Sequence, residues 1–299
     1  MTGMWHPEPG WQPLTSGTDT STVGVWLAGS RVVKRLGAPL PGDPPELSDP
    51  RHVAWWRRPA DVALSGVVDA TPGLRSPAAL SVEEDDDGVT VWLPQVPGRP
   101  PSGLFVARSL AVFAGVDVPD QPWLARHQLR DRLRMVERRG GWPTLARTTV
   151  ADVADHLWRH RDAHLEGLDA LPQVLQHGDP TPANFHAHDA TGVIALDWAT
   201  LGTGPVGADL GYWTLSAREE FEPLADTFTA ALPAGLATPE QALLGARVTA
   251  VYTALCRAEW ALARAAAGPG ALVGKFKHPS VAPYLRSLQR QFPQIEALM

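Results

Sequence analysis

Among 299 residues, one stretch concentrates the side chains able to do chemistry: Leu175-Gln176-His177-Gly178-Asp179-Pro180-Thr181-Pro182-Ala183-Asn184-Phe185. A second run, Val193-Ile194-Ala195-Leu196-Asp197-Trp198, follows shortly after it. Pro180 and Pro182 fix φ and exclude a regular helix between Asp179 and Asn184, so the first run is a shaped loop. The apolar residues before Asp197 read as a buried strand that delivers a carboxylate at its end. Two carboxylates and an amide oxygen around one point are hard donors of the kind Mg²⁺ takes, with room left for phosphate oxygens. Asn184 is the only asparagine in the chain. A different metal reading, a phosphoesterase liganded by His177, Asp179, His186 and His188, would need further His or Asp clusters, which the sequence does not show.

The elements that must position these residues divide the chain in two. Val23–Leu27 and Arg31–Leu36 are β-rich runs around an Ala28-Gly29-Ser30 turn. A Pro/Gly/Asp linker over 37–50 precedes an expected helix from about Arg51 to Gly66. Strands are expected over Ala79–Glu83 and Val89–Leu93, and the acidic run Glu83–Asp87 between them reads as a solvated hairpin turn. After the Pro/Gly-rich 94–103 stretch, helical periodicity takes over at Leu104–Gly115, Trp123–Arg138 and Val150–Ala170. Val174–Leu201 forms a strand-and-loop island, and the chain beyond Asp209 is helical again. Strand-rich first and helix-rich second describes an α+β protein with two lobes, residues 1–97 and 98–299.

Composition narrows the function classes. The hydrophobic share of 44% and charged share of 19% are those of a globular chain. A net charge of -6 argues against a nucleic-acid binder that neutralises many phosphates. The single cysteine, Cys256, allows no internal disulfide and suits a reducing, cytoplasmic home. The polar N-terminus lacks the order of a signal peptide, and Ala246–Gly268 is broken by Arg247, Arg257, Glu259 and Arg264. The latter reads as an amphipathic helix and not a membrane span. The expected state is a monomer or weak homodimer. Arginine and alanine usage resembles the coding bias of a high-GC bacterium.

His177-x-Asp179 with Asn184 five residues on, then Ile194-x-Leu196-Asp197-Trp198 and Asp209-Leu210, resembles the catalytic core of the aminoglycoside phosphotransferase family. The resemblance implies a protein-kinase-like fold, with a small antiparallel sheet as N-lobe and a mainly helical C-lobe. It implies a small-molecule kinase that uses Mg²⁺ and ATP or GTP to phosphorylate a hydroxyl of an antibiotic, amino alcohol or sugar-like compound. By that likeness Asp179 orients the acceptor hydroxyl and takes its proton, Asn184 and Asp197 ligate Mg²⁺, His177 braces the loop, and Asp209 is structural.

The same likeness assigns the first lobe. Lys34 is the only lysine before Lys275 and lies in an apolar strand, where a compact ammonium suits the α/β-phosphates better than arginine's fork. Leu14–Ser21 resembles a short phosphate-covering loop, with Ser16 and Gly17 at its centre. Val91–Gly98 fits the connector between lobes, where the Pro94 carbonyl and Val96 N–H would meet the adenine edge. The family's lysine-pairing glutamate is expected in a Trp-Arg-Arg-Glu-Ala-like run, but Pro59 stands there in Trp56-Arg57-Arg58-Pro59-Ala60-Asp61. Asp61 or Glu46 then substitutes, or Lys34 is held less firmly. A catalytically weak nucleotide- or metabolite-binding protein is the alternative. On the acceptor side, Glu219, Glu220, Glu222 and Asp226 read first as a solvated helix start, and Tyr212, Trp213 and Trp260 first as core.

Overall fold

The computed structural model describes residues 5–15, 21–142, 149–266 and 279–298. An antiparallel sheet of five strands occupies the first part: β1 (Gln12–Thr15), β2 (Thr22–Ala28), β3 (Arg31–Gly37), β5 (Ser81–Asp85) and β6 (Gly88–Pro94), in the order β1-β2-β3-β6-β5. β2 and β3 turn at Gly29-Ser30, as expected, and the register sets Lys34 opposite Val25 and Val91. The acidic run splits between β5 and its turn. Asp85 there receives both arms of the Arg35 guanidinium, and Glu84 receives Arg57.

Helix α1 spans Arg58–Ser65, not the wider 51–66 expected, because residues 50–57 form successive turns and Pro59 sits in the first helical turn. Proline is preset for that position and lacks only an N–H that would go unused. Leu36, Val89, Val91 and Ala60 form a small core between sheet and helix. The next residues of α1 look the other way. Val62, Val68 and Leu74 pack with Leu110, Phe113 and Val193 in the core of the second half. There β4 (Gly73–Arg75) also runs parallel to β9 (Gly192–Ala195), whose other edge takes β8 (Phe185–His188).

Helix α2 (Gly103–Ala114) opens on Ser102, whose Oγ accepts from Phe105 N, and on Glu219, whose Oε1 accepts from Gly103 N at 2.9 Å. Two orphan amides of the first turn are thereby satisfied. Helix α3 covers Gln128–Arg138. Residues 123–127, expected as its first turn, instead run alongside β10 (Gly202–Pro205), with Ala125 N donating to Leu201 O and Thr203 N to Ala125 O. β10 pairs with β7 (Gln173–Gln176). α4 (Thr149–Asp169), α5 (Ala208–Thr214), α6 (Phe221–Ala231), α7 (Pro239–Ala266), α8 (Ala282–Arg290) and α9 (Phe292–Glu296) complete the second half. Glu220 precedes α6 and Glu222 lies in its first turn, the helix-start role read for them. Fully buried Tyr252, Leu255 and Ala258 of α7 anchor a core shared with α3 and α4. Burying each such large apolar side chain contributes roughly 1.5–3 kcal/mol. No helix among the described residues is long and apolar enough to cross a membrane.

Candidate active site

The loop after β7 is held by its own backbone and by α5. Gly178 adopts φ 82°, and a Cβ there would meet Gln128 Oε1 at 2.2 Å and Thr200 O at 2.7 Å. Only glycine fits that turn. Its own amide and the one before it, Gly178 N and His177 N, donate to the two oxygens of Asp209 at 2.9 and 2.8 Å. Burial pushes the Asp209 carboxyl above the usual range, against the pull of His177 and those two N–H groups. Asp209 itself is placed by Gly207, which enters α5 at φ 87° so close to α7 that a Cβ would lie 2.0 Å from Ala242 O.

His177 is fully buried between Phe185 and Trp198. Its Nδ1 accepts from Asp179 N at 3.2 Å, which leaves the proton on Nε2, donated to Leu196 O at 3.0 Å. Leu196 N in turn donates to Asn184 O at 2.8 Å. One residue, Leu196, therefore ties the histidine and the asparagine to the strand end that carries Asp197. The bracing expected of His177 takes this form.

Asp179 has both carboxylate oxygens engaged. Oδ2 accepts from Asn184 Nδ2 at 2.9 Å, and the same nitrogen holds the Asp179 carbonyl at 2.9 Å. Oδ1 accepts from the Tyr212 hydroxyl. The Tyr212 ring is buried, with the Arg257 guanidinium 4.4 Å and the Arg132 guanidinium 5.3 Å from its centroid. Burial and the Asp179 charge raise the phenol's pKa, so it stays a donor. Arg132 also donates to Gly178 O at 2.8 Å. Tyr212 is core, as read, yet its polar tip reaches the Asp179 carboxylate. Trp213 is core alone, stacked on Phe185, while Trp260 is 38% exposed.

Across the gap, Lys34 Nζ meets Asp197 Oδ1 at 2.6 Å. Asp197 stands at φ 57°, a left-handed conformation that Asp tolerates better than most residues and that turns its side chain off the strand. Desolvation pushes its pKa up, but the Lys34 charge and hydrogen bond outweigh this and hold it below the usual carboxylate range. The two acids considered as substitutes for the missing helix glutamate are engaged elsewhere. Asp61 takes Trp55 Nε1 at 2.8 Å and Arg57 Nε at 3.1 Å, and Glu46 takes Arg138.

Two open clefts meet at Asp197. The first, about 420 Å³, is lined by Lys34, Pro59, Val91, Leu93, Leu196 and Asp197. The second, about 960 Å³, has Asp179 and Asp197 on its walls beside Trp55, Trp56, Arg132 and Met135. Leu93 is the connector residue that faces the first cleft. Pro94 ends β6 opposite Arg31, and Val96 follows Gln95, whose N–H donates to Ser30 O at 3.0 Å. Ser16 and Gly17 lie outside the described residues.

The donor set fits a hard divalent cation. The Asp197 carboxylate is 42% exposed, and Asn184 commits its Nδ2 to Asp179, which turns the amide oxygen toward other partners. Among the described residues no group of three or more His, Cys, Asp or Glu could hold a metal, so the phosphoesterase reading with His186 and His188 finds no cluster. A carboxylate and an amide oxygen are the hard oxygen donors that divalent cations take.

Residues 10–244 match the model of the phosphotransferase enzyme family, APH. The chain belongs to that family. No curated protein sequence matches it. Solved structures that resemble it include a choline/ethanolamine kinase family protein from Mesorhizobium loti, 15% identical over 93% of this chain and 92% of that one, with a TM-score of 0.57. The GDP and kanamycin complex of an aminoglycoside phosphotransferase, APH(2")-IIIa, is 12% identical over 95% and 93%, TM-score 0.61. The amicoumacin kinase hAmiN, in complex with AMP-PNP and Ca²⁺, is 14% identical over 99% and 94%, TM-score 0.59. The two-lobed, protein-kinase-like fold expected from the sequence is thus the fold of this phosphotransferase. Arg58 is the residue that sequence reasoning passed over. It is fully buried and spends all five N–H donors on backbone carbonyls: Trp123, Val53, Ala199, Pro50 and His52.

Proposed function

We propose that this phosphotransferase moves the γ-phosphoryl of ATP or GTP onto a hydroxyl of a small molecule, directly and in line, in a Mg²⁺-dependent reaction. The observation that carries the reading is the position of Asp197, on the wall shared by two clefts, with Lys34 on one side and Asp179 on the other. Nucleotides in the resembling structures, GDP with kanamycin in one and AMP-PNP with Ca²⁺ in another, lend it support.

In this reading residues 1–97 contribute the nucleotide lobe and 98–299 the catalytic and acceptor lobe. Lys34 exchanges its carboxylate partner for the α/β-phosphates. The Pro94 carbonyl and Val96 N–H meet the base. Mg²⁺, when bound, supplies charge neutralisation at the phosphate oxygens, and Asn184 Oδ1 and Asp197 would hold it. Asp179 accepts the proton of the attacking hydroxyl, while Tyr212 and Asn184 fix the direction of its two oxygens. His177 keeps the loop in register through Asp179 N and Leu196 O. The acceleration comes from positioning and charge stabilisation, with no covalent enzyme intermediate.

γ-Labelled ATP and GTP, offered with Mg²⁺ across hydroxylated antibiotics and metabolites, test the proposal. Asp179→Asn should lower kcat by about 10²–10⁴-fold while nucleotide affinity stays near that of the parent. A loss of only a few-fold would remove Asp179 from the role of base. Pro59 in place of the helix glutamate favours a second reading, a weakly active nucleotide- or metabolite-binding protein. A thermal shift with ATP and Mg²⁺, but no transfer to any acceptor, would select it.

A further inference from the structure

The cleft that carries Asp179 has mostly apolar walls. Leu36, Leu47, Val53, Trp55, Trp56 and Met135 line it, drawn from β3, the 47–56 turns and α3. The Trp55 and Trp56 rings meet edge to face at 6.1 Å, and the polar edge of Trp55 is spent on Asp61. Its polar lining is limited to Ser21, Thr200, Arg132 and the two aspartates.

Carboxylates able to pair with a ligand cation are scarce around it. Asp197 is paired with Lys34, and Asp179 holds Tyr212 and Asn184. Of the acids on neighbouring segments, Asp131 accepts from Val53 N and faces His52 at 3.8 Å, Asp61 is taken by Arg57 and Trp55, and Glu46 by Arg138. Nor does the sequence outside the described residues hold a reserve of carboxylates. Segments 16–20, 143–148 and 267–278 contain one acid, Asp19, against Arg147, Lys275 and Lys277. The cation on the cleft wall, Arg132, is pinned by Gly178 O.

A ligand with several ammonium groups must leave water for a site that returns a carboxylate to each, or its desolvation goes uncompensated. This cleft has one at most, Asp179, whose partners Tyr212 and Asn184 are neutral. An apolar or planar face, in contrast, gains by covering Trp55, Trp56 and Met135. We infer that the acceptor is an uncharged hydroxylated compound with an extended apolar or aromatic face, and not a polyamine. The inference rests on the proposed phosphotransfer at this site, since it takes the second cleft as the acceptor's.

Equilibrium binding without nucleotide tests the pocket independently of turnover. The probes are 2-(2-naphthyl)ethanol and kanamycin, titrated calorimetrically into the full chain and into Trp56→Ala and Met135→Asp. Naphthylethanol should bind the parent saturably, roughly tenfold more weakly after Trp56→Ala, the loss of one aromatic contact. Met135→Asp should weaken it too and give kanamycin an affinity that the parent lacks. Three results would overturn the inference: kanamycin binding the parent as tightly as naphthylethanol, naphthylethanol not binding at all, or its binding surviving both substitutions. Either substitution can serve alone if the other fails to fold. Separately, ADP release from Mg–ATP in the presence of naphthylethanol reports on phosphotransfer. Binding as expected with no acceptor ever phosphorylated leaves the pocket's preference standing and removes the kinase reading.

Discussion

Replacing Arg58 by methionine keeps a stem of similar length and deletes five donors at once. Two of the five bonds, Nε to Trp123 O at 2.8 Å and Nη1 to Val53 O at 3.1 Å, are wholly buried. The bonds to Ala199 O, Pro50 O and His52 O are partly reachable by solvent. An orphaned buried carbonyl costs about 1–3 kcal/mol, whereas a part-exposed one recovers most of its bond from water. The two buried losses set the scale at about 2–6 kcal/mol, of which the methionine stem restores none. In a chain of this size that lowers Tm by roughly 10 °C. Desolvation drops the Arg58 pKa to about 10, so the side chain is a cation throughout the neutral range and the lost bonds are charge-assisted. Arg58→Lys keeps the charge but not the fork, and should recover less than half of the difference. Urea denaturation monitored by tryptophan fluorescence gives the value. Because Ala199 lies two residues after Asp197, the nucleotide KM of the variant should also rise. A loss below about 1 kcal/mol would refute the reasoning, since the carbonyls would then have other partners.

Tyr212→Phe removes the donor to Asp179 Oδ1 and should lower kcat about tenfold with little change in acceptor KM, the signature of a misdirected base; an unchanged kcat would dismiss the phenol. Gly207→Ala places a Cβ 2.0 Å from Ala242 O on a residue at φ 87°, so denaturation should show a loss of about 1–3 kcal/mol or more, and a neutral result would mean that α5 and α7 separate freely. Burial pushes the Cys256 thiol up to about 12, so at pH 8 it should ignore an aromatic disulfide reagent until denaturant is added, and prompt reaction of the native chain would contradict its placement in the core.

The parts of the site legible in the sequence are those written in short range. His177, Asp179 and Asn184 fall within eight residues whose prolines dictate a loop, and the strand ending at Asp197 follows at once. Lys34 was readable because a lysine in an arginine-rich chain stands out. What escaped depends on distant backbone. Nothing local says that Arg58 will gather carbonyls from Pro50 to Ala199, and without that clamp the 51–57 stretch looks like the start of a helix. The same holds for residues 123–127, where pairing with Leu201 and Thr203 overrides helical periodicity. Tyr212 did carry a usable signal. It lies three residues after Asp209 on α5, a spacing that puts both on one helix face, and the resemblance gives Asp209 a structural role.

Arg58 and β4 also bear on how the two halves are joined. Helix α1 arises within the first hundred residues, yet its arginine grips Trp123 and Ala199, its Val62 is sunk among residues of α2 and β9, and the strand that follows it is zipped to β9. The helix also packs on β5 and β6, and Arg57 just before it pairs with Glu84, so α1 is riveted to both halves. On the sheet side its apolar layer is thin, made by Ala60 against Leu36, Val89 and Val91. The Lys34–Asp197 pair is a further tie between sheet and second half, and any ligand that claims the Lys34 ammonium must undo it.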